Sequence, residues 1–106
     1  MNRWHKYAEG NSIDQVGPEG GVILRDEEHE LGARITLKRD KDFISVSGHI
    51  YGWMDHTRFF VTNSEAEREY KSMKNALGDV ADVIDAVDSK DIKVWEAISE
   101  FVRRFP

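Results

Sequence analysis

Residues 31–61 read LGARITLKRDKDFISVSGHIYGWMDHTRFFV, and the phase of this stretch decides the fold. Leu31, Ala33, Ile35 and Leu37 alternate strictly with Gly32, Arg34, Thr36 and Lys38, the period of a strand with one buried face. A two-residue turn at Asp40-Lys41 closes a hairpin that sets Leu37 against Ile44, Ile35 against Val46, Ala33 against Gly48 and Leu31 against Ile50. A slip of one residue would undo every apolar match, so the hydrophobic pattern itself specifies the face. A second turn near Asp55-His56 then sets Ile50 against Val61 and Gly52 against Phe59, continuing the same buried face.

The opposite face of that meander carries the functional lead. In these registers it presents Arg34, Thr36 and Lys38, then Ser45, Ser47, His49, Tyr51 and Trp53, then Arg58, Phe60 and Thr62. Tyr51 falls opposite Phe60 and Trp53 opposite Arg58, which sets a guanidinium beside an indole. Three aromatics, a histidine and an arginine gather at one end, next to Gly32, with Arg34 at the rim. Aromatics and arginine are the side chains enriched at binding surfaces.

Before the meander, Val22 to Arg25 reads as a short strand, and Asp26-Glu27-Glu28-His29 as a charged hairpin tip. Those carboxylates match no cation-binding loop spacing, so no metal is expected there. The segment 17–21, Gly-Pro-Glu-Gly-Gly, is a loop; it lacks the Lys-Ser/Thr ending and following helix of a phosphate cradle. Residues 1–20 are poorly defined, although Trp4 and Tyr7 predict that rings tie the segment down as an edge strand or short helix.

After Thr62 the period becomes helical. Ser64 and Glu67 fit a capping box, and Ala66, Tyr70, Met73, Leu77, Val80, Ile84 and Val87 form a seam in steps of four and three. The unbroken phase favours one helix over 64–87 despite Gly78. Asp79, Asp82, Asp85, Asp88 and Asp91 recur every third residue, which spirals around a helix instead of stacking, so a solvated edge is expected. Asp88 or Ser89 would open a last helix over about 90–105, with Val94, Trp95, Ile98, Phe101, Val102 and Phe105 in its apolar sector.

These elements predict one α+β domain over residues 1–106: a four-stranded antiparallel β-meander followed by two C-terminal helices packed on one face of the sheet. The chain has 106 residues, net charge −5 and no cysteine, which excludes disulfides, thiolate zinc sites and thiol nucleophiles. The acidic balance argues against general nucleic-acid binding, which rests on Lys and Arg neutralising phosphates. No signal-peptide core and no apolar run of membrane-spanning length is evident, so a soluble, cytoplasmic protein is expected.

No catalytic motif is present. Ser47 and His49 are too far apart on one strand face for a direct nucleophile–base hydrogen bond, and Glu30 is the carboxylate best placed to reach His49. The residues therefore predict a non-catalytic domain without cofactor or metal. It would bind a protein partner, a homodimer included, through His49, Tyr51, Trp53, Arg58, Phe60 and Arg34. The alternative is a small-molecule-binding or weakly enzymatic domain with a pocket around His49, Tyr51 and Trp53.

Overall fold

The computed structural model describes residues 3–17, 20–87 and 91–106. The loop positions 18 and 19, and the expected helix start at Asp88 or Ser89, lie outside them. Five antiparallel strands, β1 (Trp4–Lys6), β2 (Val22–His29), β3 (Ala33–Arg39), β4 (Ile44–Ile50) and β5 (Met54–Phe60), lie in sequence order in one sheet. Helices α1 (Asn63–Ala86) and α2 (Ile92–Arg104) follow, and α1 packs across β3, β4 and β5. The class is the expected α+β; the sheet has five strands instead of four because Trp4–Lys6 pairs with the far end of β2.

The β3–β4 hairpin has a four-residue loop, so Leu37 faces Val46 and Ala33 faces Ile50. That register differs by two residues from the one expected, and a shift of two leaves each side chain on its face. Ala33, Ile35, Leu37, Ile44, Val46 and Ile50 are accordingly buried.

The β4–β5 hairpin differs in a way that matters. It turns at Tyr51–Trp53, not at Asp55-His56, with Trp53 N–H donating to the Ile50 carbonyl and Gly52 at φ +82°. A positive φ at the third residue of such a turn is where glycine is free of the Cβ clash. Ile50 now pairs with Met54 and Ile44 with Phe60, which reverses the two faces of β5. Phe60 is buried, whereas Phe59 and Val61, expected in the core, are 66% and 84% exposed.

A second correction concerns β2. The acidic run is no hairpin tip: Asp26, Glu27, Glu28 and His29 are the last four residues of an eight-residue strand, and the turn follows at 30–32. β2 is therefore not an edge, since β1 covers part of its outer side. A bulge between Ile23 and Arg25 shifts the register, which sets Arg25, Glu27 and His29 on the helix side and Asp26 and Glu28 on the other.

The helices follow their apolar phase. Helix α1 runs unbroken through Gly78 and buries Ala66, Tyr70, Met73, Leu77 and Val80. Its cap is Thr62, which accepts from Glu65 N–H, two residues before the expected Ser64. Gly78 serves packing: a side chain there would meet the Trp4 indole nitrogen at 3.4 Å. Asp91 caps α2, whose buried stripe is Val94, Ile98, Phe101 and Phe105; Trp95 and Val102, expected with them, stay 53% and 40% exposed. No helix among the described residues is long and apolar enough to cross a membrane.

Candidate functional site

The sheet face turned away from the helices is where the sequence placed its binding residues, and three of the six are there. Arg34 and His49 face each other across β3 and β4, and the Tyr51 ring lies 5.4 Å from the His49 ring. The other three go elsewhere. Trp53 sits in the β4–β5 turn against Trp95 of α2, ring centroids 5.3 Å apart. Reversal of β5 carries Arg58 and Phe60 to the helix side. There Arg58 donates to Glu69 at 2.6 Å and to the Pro106 carbonyl at 3.1 Å, with its guanidinium 5.1 Å from the Phe60 ring. Their place beside Tyr51 and Trp53 is taken by Asp55, Thr57 and Phe59.

Around Arg34 the open face is a fixed polar array. Its Nε and Nη2 donate to the two oxygens of Asp26 at 2.9 and 2.7 Å, and Thr36 donates to Asp26 at 3.1 Å. Asp26 has no exposed side-chain area, so this bidentate pair is held in a water-poor setting where such bonds are strong. The carboxylate in turn raises the guanidinium pKa, outweighing the burial that opposes it. From above, the Tyr7 ring lies 3.5 Å from the guanidinium carbon. Ala8 and Glu9 adopt left-handed φ of 49° and 56° directly after it and turn the chain back from β1.

Residues 14–16 then run beside the start of β2, exchanging backbone hydrogen bonds with Ile23 from Asp14 and Gln15, and cover Ile23 so that it is buried. The described N-terminal residues thus cover the β2–β3 half of the open face and leave the β4–β5 half uncovered. Between the two halves lies a groove of about 140 Å³ lined by Gly17, Ile23, Arg34, Thr36, Lys38, Ser47 and His49.

On the uncovered half, Ser47 and Thr57 hydroxyls meet at 2.8 Å and His49 Nδ1 lies 3.8 Å from Asp55. Glu30, the carboxylate expected near His49, pairs with Arg3 instead. Tyr51 donates to Glu28 at 2.6 Å; burial and this bond raise its pKa, so it stays a neutral donor. At the far corner Phe43 and Phe59 pack edge to face, centroids 5.4 Å apart, beside the exposed Val61.

The former acidic tip is divided between the two faces, so its four residues do not converge, and among the described residues no group of three or more His, Asp or Glu is placed to hold a metal. On the helix side Glu27 accepts from Tyr70 at 2.6 Å and Lys74 at 2.9 Å. Burial alone would raise its carboxyl pKa, but those two donors outweigh it and hold it below the usual range. Arg25 pairs with Glu67 at 2.6 Å.

Two features of this face were missed in the sequence, the Asp26 anchor and the Phe43–Phe59 corner, whereas Tyr7 ties the N-terminal segment down as expected, with Arg34 as its target. Asp26 falls two residues before Glu28 in a run read as a tip, and only the alternation of that run would have revealed a strand. Comparison with protein-family models, curated proteins and solved structures found no match.

Proposed function

We propose that this chain is a non-catalytic binding domain that engages a protein partner, a second copy of itself included, through the open face of its sheet. The observation that carries the reading is the corner of that face, where Phe43, Phe59 and Val61 stand 39%, 66% and 84% exposed as one apolar cluster. Beside it lie the hydroxyls of Ser47 and Thr57, and the rings of His49 and Tyr51 stand further along the same face, toward the β4–β5 turn. An apolar centre flanked by hydrogen-bonding groups is the anatomy of a protein contact. Of the residues named from the sequence, His49, Tyr51 and Arg34 belong to it; Phe59 and Phe43 replace Trp53, Arg58 and Phe60.

Phe59→Glu tests this by placing a charge in the apolar cluster. If the partner is a second copy, sedimentation velocity over a concentration series shows self-association for the native chain and a monomer for the variant. If it is another protein, a partner retained by the immobilised native chain is lost with Phe59→Glu and kept with Val102→Glu on α2. Association that is indifferent to Phe59→Glu would remove the corner from the account.

The groove on the same face favours a second reading, a small-molecule-binding domain. Its polar groups are Arg34, Lys38 and His49 and not Trp53, which belongs to the α2 side. A metabolite that raises the melting temperature of the native chain, with the effect lost in His49→Ala, would support that reading over the first.

A further inference from the structure

The groove between the two halves of the open face brings Lys38 beside Arg34 and His49, and the inference drawn from those three donors rests on the small-molecule reading. We infer that it binds a small oxyanion, the phosphate or carboxylate group of a small molecule, held between Arg34, Lys38 and His49.

The geometry is that of a prepared site. Asp26, buried and bonded to Nε and Nη2, uses one edge of the Arg34 guanidinium and leaves both Nη1 hydrogens without a partner among the described residues. Tyr7 closes the guanidinium from above, so the side chain is fixed before any ligand arrives. Lys38 has no carboxylate partner among the described residues, and its stem lies against Gly17, where a side chain at that position would meet it at 3.2 Å. His49 Nε2 has no partner among the described residues and donates when the ring carries both protons, with Nδ1 then facing Asp55 at 3.8 Å. Ser47 supplies a hydroxyl on the floor, and Ile23 an apolar wall that is 6% exposed.

Two nearby carboxylates are already engaged, Asp26 by Arg34 and Thr36 and Glu28 by Tyr51 and His5, while Asp55 is exposed and lies 3.8 Å from His49 Nδ1, beyond hydrogen-bond distance. What remains open toward the groove is donor and cation, in a chain whose overall charge is −5. A volume of about 140 Å³ in a groove open to solvent suits one oxyanion head group, with the rest of the molecule outside it. Cationic donors to phosphate or carboxylate oxygen form the stronger class of hydrogen bond.

The test is a pair of titrations followed by backbone amide NMR, one with inorganic phosphate and one with acetate, at ionic strength held constant with chloride. The expected result is saturable shifts at Thr36, Lys38, Ser47 and His49 with a dissociation constant on the order of 1 mM. Saturation by phosphate alone assigns the site to phosphate compounds, and by acetate alone to carboxylates. Lys38→Met, which keeps the stem and removes the charge, should weaken binding about fivefold or more, while Lys71→Met on the exposed side of α1 leaves it unchanged. Phe59→Ser, which removes the ring without adding a charge to the row Lys38–Ser45–Phe59, leaves it unchanged, so this site and the protein contact stand or fall separately. Shifts that rise linearly without saturating, or that weaken equally in Lys38→Met and Lys71→Met, would overturn the assignment.

Discussion

On the helix side of β3 and β4, Ala33, Ile35, Leu37, Val46 and Ile50 are all buried, against Leu77, Met73 and Phe101 of the helices. On the other side of the same two strands stand Arg34, Thr36, Lys38, Ser47 and His49, each bonded or aligned but reachable from water. The first face is held by apolar area, which is insensitive to direction; the second is held by oriented bonds, which fix where each donor points. The difference teaches that this sheet has spent its hydrophobic residues on the helix side, with two exceptions: Ile23, buried at the groove wall, and one exposed corner. The Phe43, Phe59 and Val61 corner is apolar surface on the side that needs none for folding.

Variants on the two faces should differ in size of effect, and the largest belongs to the core. Leu77→Ala, at a fully buried position over Gly48, should lower stability by about 3 kcal/mol in urea denaturation. A loss under about 1 kcal/mol would mean that α1 is not seated on the sheet as described. Next comes Asp26→Asn, the one open-face change expected to approach a core change. It leaves Arg34 charged against a neutral buried amide, and a loss of about 2 kcal/mol is expected, below a fully buried pair because Arg34 is partly exposed. A neutral outcome would make the Asp26–Arg34 pair incidental, and the two faces would then differ more sharply than proposed.

The smallest effect is a dependence on acid. His29 is 4% exposed between Trp4 and Gly78, and its Nδ1 accepts from Leu31 N–H, so the neutral ring is the one that fits. Burial holds its pKa below 6.5, the value expected of the unfolded chain. The unfolded state therefore takes up the proton first, and stability falls as pH drops below that value until the folded ring protonates too. Glu27 acts lower: its carboxyl is held below 4.5, so its contribution is present above that pH and is lost on further acidification. Denaturation midpoints for His29→Gln should be flatter than the native profile between about pH 5 and 7, with the lower step retained. An unchanged profile would assign the upper step to another group.

What could be read in the sequence depended on whether errors respected parity. The β3–β4 pairing was two residues off, with the turn inside the expected region, and nothing changed face. The β4–β5 turn was misplaced by an odd shift in pairing, and every side chain of β5 changed face. Tyr51 and Trp53 look like strand residues, and the signal against them was Gly52, whose backbone freedom marks a turn more reliably than the charge of Asp55-His56. The helical seam was legible because Ala66, Tyr70, Met73, Leu77 and Val80 repeat over several turns. The three-residue β1 is too short to carry a period, and β2 hid because carboxylates destined for opposite faces look like one solvated cluster. Of the candidate site, Arg34, His49 and Tyr51 were legible from the β3–β4 phase alone, and Tyr7 as an anchoring ring whose target was not; Asp26 acts across the fold and leaves no local pattern.

Both proposals rest on which way β5 points, and a pair of adjacent residues reports that directly. Phe59→Ser and Phe60→Ser remove the same ring one position apart, from a 66% exposed site and a 6% exposed site. In urea denaturation Phe60→Ser should cost about 3–5 kcal/mol and Phe59→Ser no more than about 0.5 kcal/mol. Equal losses, or the larger loss at Phe59, would contradict the register and return Phe59 to the core.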